Sequence, residues 1–436
     1  MTDDGGTSPT GARALRRGAS GQRWADTAVA AAVALLARLA YLATTASQPL
    51  MSDSGQYHEI ATNLAEGRGF SHTFPQFELH ATAFRPPVFP GLLGLLYRVT
   101  GPSQGVARGL AVVLGVVLVV LLHRVLRHHT DRRTALVGAL VVALYPPLVA
   151  NDTVPLTETL SLIVIVALVD RICRESWIWS GVLCGLLILT RPSAQGLVVV
   201  VAISLWIFVG PKRAAAAVGI AALVVVPWVV RNAVEVGAPT IVTSNGFNFA
   251  ALYSEEAERA GHFVDPVYNP AFDDMRLLQF DEAAWSEELQ RRALANIRDN
   301  PSQVLSVVGA NARAFFELDP DKNTNPERID GRNLDVRDAT LPLFYVVTVV
   351  GAIGLWIGRR TRFVAVLGIT AVYFALTSLV FVAPPRLRAP LDLACCVGLA
   401  VVVTKVWGWW DRRRSPVTGS GPDGGVEDVA TVGAPR

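Results

Sequence analysis

Charged side chains are scarce in this sequence. They make up 17% of its 436 residues, whereas soluble domains carry about 25%. The formal net charge is only +3, and no basic patch is interleaved with aromatic residues, which argues against nucleic-acid binding. Apolar residues reach 51% and occur in long runs such as GLAVVLGVVLVVLLHRVL and AAAAVGIAALVVVPWVV. Because such runs can cross a hydrocarbon core of about 30 Å, the composition predicts an integral membrane protein.

Cysteine is also rare. None of the cysteines lies in a long polar loop, so we expect no disulfide framework, and their spacing matches no metal site. The histidines of the first loop match no metal signature either, which leaves a solvated loop as the simpler interpretation. The four cysteines, all within or at the ends of apolar runs, are Cys173, Cys184, Cys395 and Cys396.

The apolar segments and the basic clusters together predict a topology. Lysine and arginine are retained on the cytoplasmic side of membrane proteins. If the first span runs outward, every basic cluster falls inside, including HRVLRHHTDRR, RICR, GRRTR and DRRR. Both termini are then cytoplasmic, and the protein is an all-α polytopic membrane protein with about ten spans. The predicted spans are residues 24–46, 103–126, 133–150, 154–171, 176–190, 194–210, 213–230, 339–357, 363–382 and 387–409.

The segments outside these spans differ in character. The ends, 1–23 and 411–436, are rich in Gly, Pro, Ser and Asp and are predicted to be disordered cytoplasmic tails that flank a transmembrane domain at 24–410. The two large external segments are 47–102 and 231–338.

Both external segments contain predicted helices. In the first, residues 87–98 are apolar but too short to span at about 1.5 Å per residue, so we interpret them as a helix at the outer interface. A tilted short span is the alternative. In the second, the periodicity of Trp285, Leu289 and Ala293 predicts two amphipathic helices broken near Pro301, which form a small external cap.

Polar side chains gather at the predicted outer ends of the spans. Several arginines there run against the positive-inside bias, and charges at membrane depth usually face a cavity or a partner. Guanidinium groups bind phosphate through paired N–H groups, and a nearby carboxylate can take a proton from an attacking hydroxyl. The pattern therefore favours a phosphate-containing substrate at the lipid boundary. The candidate residues are Asp53, Tyr57, Arg85, Asp152, Glu158, Arg191, Asn245, Arg386 and Arg388.

Several candidates also have a purely structural interpretation. Asp53 could cap a helix that starts near Ser54, because aspartate is a favoured N-cap residue. Glu158 lies one turn into an apolar span and could be there only to pair with an arginine. The arginines in LTRP and PPRLR could anchor the helix ends by reaching to lipid headgroups.

In their order along the chain, these motifs resemble those of a known class of protein. The run D-S-x-x-Y-x-x-I-A-x-N-L-A-x-G-x-G-F, followed by R-P-P-x-x-P-G-L-L-x-L-L-Y, resembles the first external loop of GT-C membrane glycosyltransferases. More narrowly, it resembles the bacterial branch related to protein O-mannosyltransferases and the lipid A aminoarabinose transferase. The resemblance continues through YPPLVANDTVPLTETL, PWVVRNAVEVGAPTIVTSNGFNFA and PPRLRAPLDLACC, and covers residues 35–400 approximately.

The resemblance implies a reaction and a role for each candidate. A monosaccharide would pass from a polyprenyl-phosphate donor, with inversion, to an envelope glycan, lipid or protein on the extracytoplasmic face. Asp53 falls on an essential aspartate that activates or orients the acceptor. The second acidic position falls on Glu158, with Asp152 as its rival. The donor-phosphate contacts would be Arg85, Arg191, Arg386 and Arg388, and the further substrate contacts Tyr57 and Asn245.

The sequence departs from this class in two ways. Asp53 is followed by Ser54 instead of a second acidic residue, which weakens the case for a protein acceptor. Segment 231–338 shows no recognisable carbohydrate-binding domain.

Arginines can stabilise a single prenyl phosphate as leaving group, so we expect no essential metal and no other cofactor. A transporter or flippase for a lipid-linked sugar is one alternative, and a non-catalytic binder is the other.

Overall fold

The computed structural model describes residues 9–414, which are mainly helical. The helices are α1 Pro9–Thr45, α2 Ser52–Ala65, α3 Val88–Thr100, α4 Gln104–His129, α5 Arg132–Leu144, α6 Pro146–Asn151, α7 Thr157–Cys173, α8 Trp177–Thr190, α9 Leu197–Val209, α10 Pro211–Glu235, α11 Ser244–Tyr253, α12 Glu255–Ala260, α13 Glu282–Asp299, α14 Ser302–Phe315, α15 Pro320–Ile329, α16 Leu334–Gly358, α17 Arg362–Val380 and α18 Ala389–Arg414. Three 3₁₀ segments, Pro192–Ala194, Pro270–Phe280 and Pro385–Arg388, lie between them. Two short strands, β1 Ser71–His72 and β2 His80–Ala81, pair antiparallel within the first external segment.

The described residues form a multi-pass membrane protein. By length and composition, seven of their helical segments can cross a membrane: Trp24–Thr45, Gln104–His129, Pro192–Val209, Pro211–Glu235, Leu334–Gly358, Arg362–Val380 and Pro385–Arg414. The other three predicted spans correspond to shorter helices, namely α5 with α6, α7, and α8. The polytopic all-α architecture is therefore confirmed, while the count of about ten spans stays a prediction.

The predicted span at 133–150 is broken by proline. α5 ends at Leu144, and α6 begins at Pro146 with a second proline, Pro147, in its first turn. Proline suits the first turn of a helix but disfavours helical backbone in the residue before it, and Tyr145 accordingly adopts an extended conformation. After the break, α6 leads directly into the loop that carries Asp152.

Glycines let the membrane helices approach closely. A Cβ at Gly354 of α16 would lie 1.8 Å from the carbonyl oxygen of Gly398 on α18. A Cβ at Gly181 of α8 would lie 2.5 Å from the carbonyl oxygen of Ala217 on α10. Small residues at such crossings allow backbone contact, which is a principal source of helix association in a bilayer. The close packing of α16 on α18 supports the Pro385–Arg388 turn, which leads directly into α18.

Segments 47–102 and 231–338, which the topology predicts to be external, form a layer on one end of the bundle, named the external layer below. α3 is a 13-residue apolar helix packed on α2, so the helix predicted at 87–98 is present and is too short to span. The two predicted amphipathic helices are confirmed as α13 and α14, separated at Asn300 and Pro301. Trp285, Leu289 and Ala293 of α13 are buried, as the periodicity predicts.

The helices at both chain ends extend beyond their apolar parts. α1 begins at Pro9 and α18 continues to Arg414. The predicted disordered tails therefore overlap helix at 9–23 and at 411–414. Alanine and arginine are good helix formers, so a span can continue as helix past its apolar limit. The rest of the predicted tails, 1–8 and 415–436, lies outside the described residues.

Candidate active site

Asp53 lies in the first turn of α2, where its carboxylate contacts two arginines. One oxygen accepts a hydrogen bond from Arg85, and the other accepts one from Arg386. The N-cap residue of α2 is Met51, and no side chain caps this helix. The helix-cap interpretation of Asp53 is therefore wrong, because its side chain faces the two arginines.

The surroundings of Asp53 determine its ionisation. Burial by itself raises the pKa of this carboxyl, but the charges of Arg85 and Arg386 outweigh burial and hold the pKa well below its usual range. Asp53 is therefore ionised at neutral pH. Any group that draws the two arginines away would raise the pKa of Asp53 and make it a stronger base.

Arg386 is the centre of a cluster of carboxylates. It lies in the turn Pro385–Arg388, just before α18. Besides Asp53, its guanidinium approaches Glu158 Oε1, at 3.3 Å from Nη1, and Asp330 Oδ2, at 3.0 Å from Nε. These carboxylates come from α2, the first turn of α7 and the turn after α15. One partly buried arginine thus holds together three segments that are far apart in sequence.

Besides Nε of Arg386, which lies 3.0 Å from Asp330, two polar atoms in and beside this cluster lack a hydrogen-bond partner. They are Oε2 of Glu158 and Nη1 of Arg191, both buried. The Arg191 guanidinium donates its other bonds to Ser193 and to the carbonyl of Leu387, so it is held next to the Arg386 turn. Buried polar groups in native proteins normally have partners. A polar ligand would complete the bonding of both atoms.

Asp330 is part of the cluster, and the sequence did not identify it. Burial is the largest influence on this carboxyl and, together with the negative charges of Asp53 and Glu158, raises its pKa to about 6 despite the opposing charge of Arg386. The only signal in the sequence is the density of charge in ERIDGRNLDVRD. Nearby, Arg332 donates to Asn151 at 2.5 Å, which ties this turn to the end of α6.

Arg85 is positioned by the layer around it. Its Nε donates to Gln56 of α2 at 2.5 Å, and its guanidinium lies 5.7 Å from the ring centroid of Tyr57. Tyr57, buried one turn after Asp53, packs edge-on against Phe89 with centroids 5.4 Å apart. Burial raises the pKa of the Tyr57 phenol to about 12, so it stays protonated.

Glu282 at the start of α13 binds the segment that precedes Arg85 and holds it in place. Its carboxylate accepts from the Thr82 hydroxyl at 2.6 Å, the Ala83 N–H at 2.8 Å and the Thr243 hydroxyl at 2.5 Å. The Thr243 N–H donates to the Ala83 carbonyl at 3.1 Å, so the start of α11, with Asn245, lies beside the Arg85 segment. Glu282 is a residue that the sequence did not single out.

Two of the charged residues predicted for the site, Asp152 and Arg388, lie outside the cluster. Asp152 instead accepts from Arg38 Nε at 2.9 Å and from Thr159 at 2.5 Å, in a fully buried contact over Gly115. A Cβ at Gly115 would lie 2.3 Å from that Nε, so only glycine leaves room for this pair. Of the two rivals for the second acidic position, Glu158 shares Arg386 with Asp53, whereas Asp152 forms an ion pair with Arg38.

Arg388 also points away from the cluster. Its guanidinium donates to Glu317 at 2.8 Å and to the carbonyl of Phe315 at 2.7 Å, and it stacks on Phe344 at 3.7 Å. It also contacts Asp392 and is fully buried. The structure therefore corrects the grouping of Arg388 with Arg386, because its donors face internal partners.

The histidines of the first loop do not converge. His58 contacts the Tyr97 hydroxyl, His72 pairs with Glu59 and His80 with Glu282. Among residues 9–414, no group of three or more His, Cys, Asp or Glu is arranged to hold a metal ion. The four cysteines are free thiols.

Comparisons with known proteins agree with this architecture. Residues 84–231 match the sequence model of a family described as dolichyl-phosphate-mannose-protein mannosyltransferase. The matched range includes Arg85, Asp152, Glu158 and Arg191, but neither Asp53 nor Arg386. No curated protein matches the sequence.

Solved structures with the same fold include the oligosaccharyltransferase of Archaeoglobus fulgidus. Its apo form aligns with a TM-score of 0.53 at 13% identity, over 90% of this chain and 51% of that one. The form tethered to an acceptor peptide with an NVT sequon aligns with a TM-score of 0.53 at 12% identity, over 90% and 50%. ArnT from Cupriavidus metallidurans, bound to undecaprenyl phosphate, is more distant, with a TM-score of 0.41 at 15% identity over 89% and 79%.

The fold and the matched domain define the class. The chain is a multi-pass membrane protein with the GT-C fold of membrane glycosyltransferases. It spans about half the length of the Archaeoglobus enzyme.

Proposed function

We propose that this protein is an inverting glycosyltransferase that moves a monosaccharide from a polyprenyl-phosphate donor to an acceptor on the extracytoplasmic face. The acceptor is an envelope glycan, a lipid or a protein. The observation that carries the proposal is the placement of Asp53 between Arg85 and Arg386, at the end of the bundle where α2 and the external layer lie. An ionised carboxylate and two guanidinium groups in contact supply the base and the phosphate contacts that the reaction requires.

The donor phosphate is proposed to compete with Asp53 for the two arginines. Arg85 and Arg386 each have further N–H groups, and Arg191 has a buried N–H without a partner. When the phosphate takes these donors, Asp53 loses part of its stabilisation and its pKa rises. The carboxylate then becomes a better proton acceptor at the moment when the donor is bound.

The transfer step follows from these positions. The acceptor hydroxyl attacks the anomeric carbon on the side opposite the phosphate, a C–O bond forms, and the bond from that carbon to the phosphate oxygen breaks. The bonding electrons leave with the phosphate, whose charge the arginines stabilise. The hydroxyl proton passes to Asp53. Glu158, with its free oxygen, is suited to orient a sugar or acceptor hydroxyl, and the proposed mechanism uses no divalent metal.

Replacement of Asp53 by asparagine tests the proposal. Asp53→Asn keeps the size of the side chain but removes the proton acceptor, so transfer should fall by about a hundredfold or more. Donor binding and folding should persist because Arg85 and Arg386 remain. Purified protein is incubated with a panel of polyprenyl-phosphate sugars, and release of free polyprenyl phosphate is measured. Asp273→Asn, an exposed change in the external layer, is the matched control.

Two results would overturn the proposal. Full transfer activity in Asp53→Asn would show that Asp53 is not the proton acceptor and that it serves only to form ion pairs with Arg85 and Arg386. Binding of donors by the wild-type protein, with no release of carrier phosphate with any acceptor fraction, would instead favour a transporter or a non-catalytic binder.

A further inference from the structure

A groove lies at the other end of the bundle, between α4, α7 and α8. Its volume is about 390 Å³, and its charged lining consists of Arg124, Arg171, Arg174 and Asp170, with Trp179 at its edge. Asp170 is twelve residues after Glu158 on α7, or about 18 Å along the helix axis. The groove is therefore separate from the candidate active site.

Asp170 organises the basic side chains of this groove. It is buried, and it accepts hydrogen bonds from Arg171 and from Arg174, the latter at 2.8 Å. His129 approaches the same carboxylate at 2.9 Å. The two arginines remain 37% and 39% exposed. Since a guanidinium carries five N–H groups, each can hold Asp170 and still donate to a ligand.

The charge of the groove is unbalanced. Three arginines face one carboxylate, which leaves an excess of two positive charges from these four residues alone. Arg124 is exposed and belongs to a different helix, where its guanidinium lies 5.5 Å from the ring centroid of Trp24. The groove therefore presents cations from two helices to a common space, an arrangement that suits an anion with several oxygen atoms.

The apolar part of the lining lies toward the middle of the bundle. Leu121 precedes Arg124 by three residues, Ala167 precedes Arg171 by four, and Leu183 follows Trp179 by four. Each is about one helical turn further from the charged end. The groove is thus cationic at the helix ends and apolar along the helices, and Trp179, 58% exposed, is of the type that lies at membrane interfaces.

We propose that this groove binds an anionic phospholipid, with the phosphate on Arg124, Arg171 and Arg174 and the acyl chains along α4, α7 and α8. Basic pockets between membrane helices are suited to such headgroups. The observation that favours a lipid over a soluble anion is the apolar wall that continues from the arginines toward the bundle centre. Asp170 is a positioning residue, because it holds two of the arginines at the groove.

Native mass spectrometry of the full-length protein with cardiolipin tests the proposal. The wild-type protein should retain cardiolipin in preference to phosphatidylcholine. Arg171→Gln/Arg174→Gln should weaken cardiolipin binding about thirtyfold, since each basic residue near the membrane surface contributes about one kilocalorie per mole. Arg124→Gln leaves the Asp170 contacts intact and should weaken binding severalfold. Arg213→Gln, a basic residue at the start of α10 outside the groove, is the matched control and should bind normally.

The lysine double variant Arg171→Lys/Arg174→Lys separates charge from folding, because it should keep most of the binding if the charges act on the lipid. Equal losses in the groove variants and in Arg213→Gln would overturn the proposal, since binding would then reflect total surface charge. Displacement of cardiolipin by inorganic phosphate alone at equal concentration would also overturn it, because the groove would then be a site for a soluble anion. Neither result depends on sugar transfer.

Discussion

At the scale of single residues, the candidate active site depends on the direction in which neighbouring side chains point. Arg386 and Arg388 are two residues apart in a 3₁₀ turn. Successive residues of a 3₁₀-helix are about 120° apart around its axis, so these two arginines point in different directions. Arg386 faces Asp53 and Glu158, whereas Arg388 faces Glu317. The motif PPRLR predicted a basic site from both arginines and could not distinguish the one that faces Asp53 from the one that does not.

Asp330 should make the stability of the protein depend on pH. Its pKa is raised to about 6 in the folded protein from about 3.9 in an unfolded chain. Between these values the folded state binds the extra proton, so the free energy of unfolding falls as pH rises through this window. Asp330→Asn removes this dependence. Between pH 4 and pH 7, the free energy of unfolding of the variant should therefore rise by up to about 3 kcal/mol relative to that of the wild type.

Thermal unfolding in detergent at a series of pH values measures this difference. Asp273→Asn is the control, because that aspartate is 54% exposed and lies outside the cluster. Parallel profiles for wild type and Asp330→Asn would contradict the assignment of a raised pKa to Asp330. Because the comparison is between two proteins at each pH, the opposite contribution of Asp53 cancels.

At the scale of helices, the site depends on how closely α16 packs against α18. The turn that carries Arg386 leads into α18, and the first half of α18 is buried. Gly351, Gly354 and Gly398 lie at the crossing, where backbone meets backbone. The sequence showed two apolar spans here but not which faces meet. The contacts between helices decide which faces meet. Hydrophobicity alone does not identify those faces when every face of a helix is apolar.

Gly354→Ala should destabilise the protein. The added Cβ would lie 1.8 Å from the carbonyl oxygen of Gly398, so the two helices must move apart. Overpacking of this kind costs about 1 to 3 kcal/mol. Gly368→Ala in α17 is the matched control, since a Cβ there meets nothing within 4 Å, and alanine should stabilise that helix by up to about 1 kcal/mol.

Thermal unfolding in detergent compares the stability of the two glycine variants. Release of carrier phosphate shows whether the candidate active site still functions. We expect a lower melting temperature for Gly354→Ala and an equal or higher one for Gly368→Ala. Similar melting temperatures for both would show that the α16–α18 crossing tolerates a methyl group, against the geometry.

At the scale of the whole molecule, the two ends of the bundle differ in chemistry. One end carries Asp53, Glu158 and the external layer, and the other carries Asp170 and the basic clusters. The class of fold and this polarity could be predicted from the sequence, because long apolar runs and charge asymmetry are local signals. The contact of Asp330 with Arg386 could not, since it depends on how the turn after α15 meets the turn that precedes α18.

Labelling of single cysteines tests which end faces outward. In a background whose four native cysteines are replaced by alanine, Lys322→Cys reports the external layer and Arg213→Cys the opposite end. Lys322 is 79% exposed, and Arg213 is exposed at the start of α10. A membrane-impermeant maleimide should label Lys322→Cys in intact cells, and Arg213→Cys only after permeabilisation, because basic clusters are retained inside. The reverse pattern would place the Asp53 cluster on the cytoplasmic side and contradict transfer on the extracytoplasmic face.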